Sequence, residues 1–91
     1  MTEANTTTVT IKNPLGLHLR KGRDVVEVAE RFDAQITAQN ITRASAAVDA
    51  GSILQLMQLQ ARQGHTLFLQ ARGPDAQEAL DALRLLLETH T

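Results

Sequence analysis

Thr8-Val9-Thr10-Ile11-Lys12-Asn13-Pro14-Leu15-Gly16-Leu17-His18-Leu19-Arg20-Lys21-Gly22-Arg23 changes its hydrophobic period part-way along. Thr8 to Lys12 alternates and is β-branched, which predicts a first strand with Val9 and Ile11 turned inward. Pro14 and Gly16 then force a turn, since one fixes φ and the other tolerates a positive value. Beyond it Leu19, Gly22, Val25, Val26, Ala29 and Phe32 recur at steps of three and four, predicting a helix over 19–32. His18 therefore falls at or beside a helix N-cap. The first-turn N–H groups there lack intrahelical acceptors, and the helix dipole adds partial positive charge. Such a terminus suits anions, phosphate above all. Arg20, Lys21 and Arg23 add cations, with no acidic residue between Ala4 and Arg23. A histidine in this position has a plain use as a cap or a solvent-exposed base. Turn, dipole and basic cluster together favour a histidine that is reversibly phosphorylated.

Composition narrows the alternatives. The 91 residues allow one domain, 1–91, with an ordered core expected at about 8–88 and a frayed tail before it. Only 2 % of residues are aromatic, Phe32 and Phe68, so aliphatic side chains must build the core. A base-stacking nucleic-acid platform is disfavoured for the same reason. A net charge of −1 argues against a general polyanion binder, and the basic cluster suits a small anion or an acidic partner patch. There is no cysteine, which removes disulfides, thiolate metal sites and thiol catalysis. Residues 1–7 are polar, without the apolar stretch of a signal peptide, and no apolar run is long enough to span a bilayer. A cytoplasmic protein without membrane insertion is the expectation.

Outward from the opening stretch, the solvated face of the first helix carries Arg23, Glu27, Glu30 and Arg31. Gln35–Asn40 predicts a second strand with Ile36 and Ala38 on one side. Ala44 to Val48 is expected as a short third strand, poor on propensity. Ser52 is placed to cap a short helix over Ile53 to Leu59. Thr66 to Ala71 is the most apolar strand, expected at the centre of the sheet. Asp75 and Glu78 resemble a capping box before the stripe Ala76, Ala79, Leu80, Leu83, Leu86 and Leu87. The order β-α-β-β-α-β-α predicts an α+β open-faced sandwich: a four-stranded, mainly antiparallel sheet with three helices on one face. Ile53, Leu54, Leu56 and Met57 cannot all be buried by so short a helix, so some of that surface should stay open for docking. His65 and His90 read as structural or solvated, and the scattered histidines make no metal site.

With this order in place the chain resembles the HPr family, the histidine-containing phosphocarriers of the bacterial phosphoenolpyruvate-dependent sugar phosphotransferase system. Gly16-Leu17-His18-Leu19-Arg20 is similar to its active-centre motif, and Ala50-Gly51-Ser52-Ile53-Leu54-Gln55-Leu56-Met57 to its regulatory-serine segment. Phe32-Asp33-Ala34 and Gly73 to Leu80 fall where the family has similar residues. The resemblance implies that His18 accepts phosphate on Nδ1 from the phosphorylated enzyme I and passes it to sugar-specific enzyme IIA subunits. It implies that Arg20 holds phosphate oxygens, that Leu54 and Met57 sit in an apolar patch that docks partners, and that Ser52 is a target for a serine kinase/phosphorylase. Lys21 and Arg23, read from the basic cluster itself, are expected to meet partners too. Ser52 serves equally as a plain N-cap. No cofactor or metal is implied, and the chain is expected to be a phosphoryl-transfer carrier rather than a free-standing enzyme.

Lys21-Gly22 departs from the family's usual proline-alanine, which predicts a looser helix start. Glu27 and Glu30 stand where basic residues are common, and the segment between the second and third strands is about three residues longer. These departures motivate a second reading, an HPr-like regulator that binds a transcription factor or metabolic enzyme and does not serve sugar uptake. A third, a ferredoxin-like small-molecule or RNA-binding module, shares a similar element order but lacks the aromatic platform.

Overall fold

A computed structural model describes residues 4–89. Its elements are β1 (Asn5–Thr10), α1 (Leu19–Arg31), β2 (Gln35–Asn40), β3 (Val48–Asp49), α2 (Ile53–Met57), β4 (Thr66–Arg72) and α3 (Ala76–Leu87). The strands form one sheet in the order β1-β4-β2-β3, and every pair is antiparallel. The expected order and architecture therefore hold, and β4 is an interior strand.

Period-2 alternation sets the two faces of the sheet. On the helix-covered face Val9 lies opposite Leu67, and Ala38 opposite Leu69. These residues join Val25, Val28, Leu80 and Leu83 in one buried cluster. On the other face Phe68 stands between Thr8 and Gln39, and Gln70 between Thr6 and Thr37. The open face is thus threonine- and glutamine-rich, and it keeps Phe68 only half-covered.

Several boundaries differ from expectation. β1 begins at Asn5, because the threonines before Thr8 keep pairing with β4 as far as Asn5 opposite Ala71. Leu19, expected inward, is exposed at the helix start, and Val28 takes a core position instead. β3 is only Val48–Asp49, not Ala44 to Val48. Ala44 has a left-handed φ of 54°. Around it the chain folds on side chains and turns: Asn40 N–H donates to Ser45 Oγ, and Arg43 N–H to Asn40 Oδ1. α2 stops at Met57 rather than Leu59. Asp75 occupies the N-cap of α3 without capping it; its Oδ2 accepts from Asp33 N–H at 2.8 Å, tying α3 to the end of α1.

Candidate functional site

The turn before α1 is built from Asn13 outward. Asn13 Oδ1 accepts from Leu15 N–H, while Asn13 Nδ2 donates to the Gly16 carbonyl at 2.9 Å. This is an Asx turn, and the asparagine that makes it is buried. Gly16 has φ 69°, and a Cβ there would lie 2.5 Å from the Ala61 carbonyl oxygen and 2.8 Å from Arg62 Cα. Leu17 N–H donates to that same Ala61 carbonyl at 2.8 Å. The loop after α2 therefore lies directly against the turn that carries His18. Gly64 N–H to the Ile11 carbonyl and Ile11 N–H to the His65 carbonyl, both 2.9 Å, extend the seam.

His18 is the N-cap of α1, with φ −94° and ψ 177°, and its side chain makes no capping bond. Its carbonyl accepts the first helical bond from Gly22 N–H at 2.8 Å. The imidazole is half-buried, and neither ring nitrogen is hydrogen-bonded among the described residues. No acidic residue stands in the first turn, so no first-turn carboxylate competes for the amides of Leu19, Arg20 and Lys21; the nearest acid in the helix is Asp24, a turn further on. An open hollow of 450 Å³ is lined by His18, Arg20, Lys21 and Asp24 together with Asn13, Pro14 and Leu15. Arg20 is exposed; the one ion pair among the described residues joins Arg84 to Glu88, so the guanidinium carries its charge unpaired.

The other residues singled out in the sequence fall in different settings. Arg23 is exposed on α1, one turn from Arg20. Lys21, expected to face partners, is only 7 % exposed. Its Nζ donates to the Leu86 carbonyl at 3.4 Å and to Thr89 Oγ1 at 3.3 Å. Ser52 caps α2 by accepting from Gln55 N–H at 3.3 Å. Leu54 is 80 % exposed while Leu56 is buried, and Met57 is half-buried. Met57 Cε lies close over Gly22, which joins α2 to the first turns of α1. His65 Nδ1 accepts from Arg62 N–H and lies 3.1 Å from Asn40 Nδ2, a structural setting. His90 lies outside the described residues. Among the described residues no group of three or more metal-ligating side chains forms.

Three residues of this region escaped the sequence reading. Asn13 had a signal in the Asn-Pro dipeptide. Asp24 had one in its i,i+4 spacing from Arg20. Arg62 had none, because only the fold brings its loop to the turn.

The family model for the "PTS HPr component phosphorylation site" matches residues 5–89. The chain belongs to this family. Among HPr-family relatives it is similar to the phosphocarrier protein HPr of Cupriavidus necator, 42 % identical over 78 residues, covering 86 % of this chain and 84 % of the relative. It is also similar to the phosphocarrier protein NPr of Shewanella violacea, 40 % identical over 80 residues, covering 88 % and 85 %. With the multiphosphoryl transfer protein of Haemophilus influenzae it is 41 % identical over 76 residues, 84 % of this chain, but it spans only 15 % of that longer protein. The crystal structure of HPr from Bacillus anthracis superposes with a TM-score of 0.85 at 30 % identity, covering 92 % of this chain and 96 % of the other. No described helix is long and apolar enough to cross a membrane.

Proposed function

We propose that this HPr-family chain is a phosphohistidine carrier. His18 Nδ1 attacks a phosphoryl group on a partner protein, the enzyme I of a phosphotransferase system, and passes it on to enzyme IIA subunits. The imidazole lone pair forms the P–N bond as the bond from phosphorus to the donor breaks, and the donor leaves with that electron pair. Developing charge on the phosphoryl oxygens meets the Arg20 guanidinium and the first-turn amides of α1. A histidine at a helix C-terminus would lack this support.

The observation that carries the reading is a ring free of hydrogen bonds among the described residues, set at the N-cap of an α1 first turn without acid and sharing a hollow with an unpaired arginine. Exposed Leu54 on α2, with Met57 against α1, and exposed Arg23 supply an apolar and basic surface for partners. Incubation with phosphoenolpyruvate and enzyme I should place one acid-labile, alkali-stable phosphoryl group on the chain. His18→Ala should abolish it while leaving the circular-dichroism spectrum unchanged. Equal labelling of that variant, or label mapped to His65 or His90, sinks the assignment.

A regulatory reading draws on exposed Glu27 and Glu30 along the outer face of α1. Under it the chain binds a transcription factor or metabolic enzyme, with His18 or Ser52 as the switch. A chain that refuses the phosphoryl group in the same assay, yet folds, favours that reading.

A further inference from the structure

Lys21 stands at a junction that carriage of phosphate by His18 and Arg20 leaves unused. It is the third residue of α1, and its ammonium ends on the last turn of α3. There the Leu86 carbonyl takes two donors, Lys21 Nζ at 3.4 Å and the Thr89 hydroxyl at 2.8 Å, and Thr89 Oγ1 also accepts from Lys21 at 3.3 Å. A helix C-terminus carries partial negative charge, so a buried cation from α1 holds down the end of α3. An ammonium has three N–H donors, and two are engaged here, both at the long end of the hydrogen-bond range. The same residue lines the hollow that holds His18 and Arg20.

A phosphoryl group arriving in that hollow alters the balance. It brings roughly two negative charges against the roughly half charge of a helix terminus. A compact ammonium on a flexible stem can turn between the two. We infer that Lys21 is a second phosphate-binding cation, kept on α3 until His18 is phosphorylated, and that its departure loosens the last turn of α3. The inference rests on His18 being the phosphoryl acceptor. Lys21 makes and breaks no covalent bond; it exchanges the Leu86 and Thr89 oxygens for phosphoryl oxygens. The C-terminal turn of α3 then reports the phosphorylation state of a residue at the other end of the chain.

The test uses the full chain, ¹⁵N-labelled and phosphorylated with phosphoramidate, so that no partner protein is needed. Phosphohistidine is first located on His18 by its ³¹P resonance, and amide exchange is then followed at Leu87 and Glu88. In the wild type exchange at these amides should quicken about two- to fivefold on phosphorylation, the factor expected for losing a cation at a helix C-terminus. Lys21→Met keeps an apolar stem and removes the ammonium. It should exchange fast already, show no further change on phosphorylation, and shift the ³¹P resonance. Thr89→Val leaves α1 intact and should give part of the same acceleration before phosphorylation. A phosphorylated wild type with unchanged exchange at α3, or a change retained in Lys21→Met, overturns this inference alone. A chain that takes no phosphoryl group on His18 overturns it together with the acceptor reading.

Discussion

Gly16 sets where His18 can stand. Its φ of 69° is open to glycine and strained for other residues, and a Cβ would press on backbone atoms of Ala61 and Arg62 rather than on a side chain able to move. Gly16→Ala should therefore cost about 1–3 kcal/mol in urea denaturation and slow phosphorylation of His18. A variant as stable as wild type would show that the two loops part easily. Gly22 is a different case. A Cβ there would lie 2.7 Å from Met57 Cε, the free end of a flexible chain, so Met57 can shift. Gly22→Ala should gain about 0.5–1 kcal/mol by relieving helix-interior entropy. The family's usual pair suggests a matching gain from Lys21→Pro, but the structure reverses that sign. Proline would remove a buried stem and both bonds to the end of α3, so Lys21→Pro should lower the melting temperature. The sequence could not show this, since nothing local reveals that Lys21 reaches Leu86 and Thr89.

At the scale of elements, α2 separates two adjacent kinds of leucine. Leu56 is 2 % exposed and Leu54 is 80 % exposed, so a single turn has a core face and a free face. Leu56→Ala should cost about 2–5 kcal/mol. Leu54→Ala should change stability by less than about 0.5 kcal/mol yet raise the KM for phosphorylation by enzyme I. An unchanged KM would remove Leu54 from the docking surface. Ser52→Asp keeps an oxygen for Gln55 N–H and adds charge beside Leu54. It should bind partners more weakly at near wild-type stability. Such contrasts explain what could be read in advance. β2 followed from Ile36 and Ala38 on one side, β4 from its apolar run Leu67-Phe68-Leu69, and α1 and α3 from sustained apolar stripes. β3 did not, because residues 41–47 are organised by Asn40 rather than by period. Asn40 is fully buried, donates through Nδ2 to the Leu59 carbonyl and approaches His65, two contacts distant in sequence that no pattern announces. The histidine turn was legible from Pro14, Gly16 and the helical stripe; its Asn13 brace and its seam with the loop after α2 were not.

Over the whole molecule, charge is distributed unevenly in a way that net charge conceals. No acidic residue lies between Glu3 and Asp24, and none between Asp49 and Asp75. The fold joins these two acid-free segments through Leu17–Ala61 and Ile11–Gly64 hydrogen bonds. Exposed Lys12, Arg20, Arg23 and Arg62 thus fall on the end of the sheet that carries His18, where Asp24 is the one acid lining the hollow, while Asp33 and Asp75 meet at the opposite end. A chain with a net charge of −1 can therefore present a positive end to an acidic donor and orient it during encounter. Arg62 tests this without touching the reacting atoms. Arg62→Gln should lower kcat/KM for phosphorylation by enzyme I about two- to threefold at low salt, with kcat and melting temperature unchanged. The deficit should shrink as ionic strength rises past about 0.1 M, where the screening length falls to roughly 10 Å. Arg72→Gln provides the control. It removes the same charge from the far end of β4, near Gly73 and Asp33, where it cannot steer a partner toward His18. If both variants lose activity equally, net charge alone governs encounter and the positive end has no directing role. If only Arg62→Gln is slowed, and salt erases the difference, the loop after α2 belongs to the surface that the donor meets first.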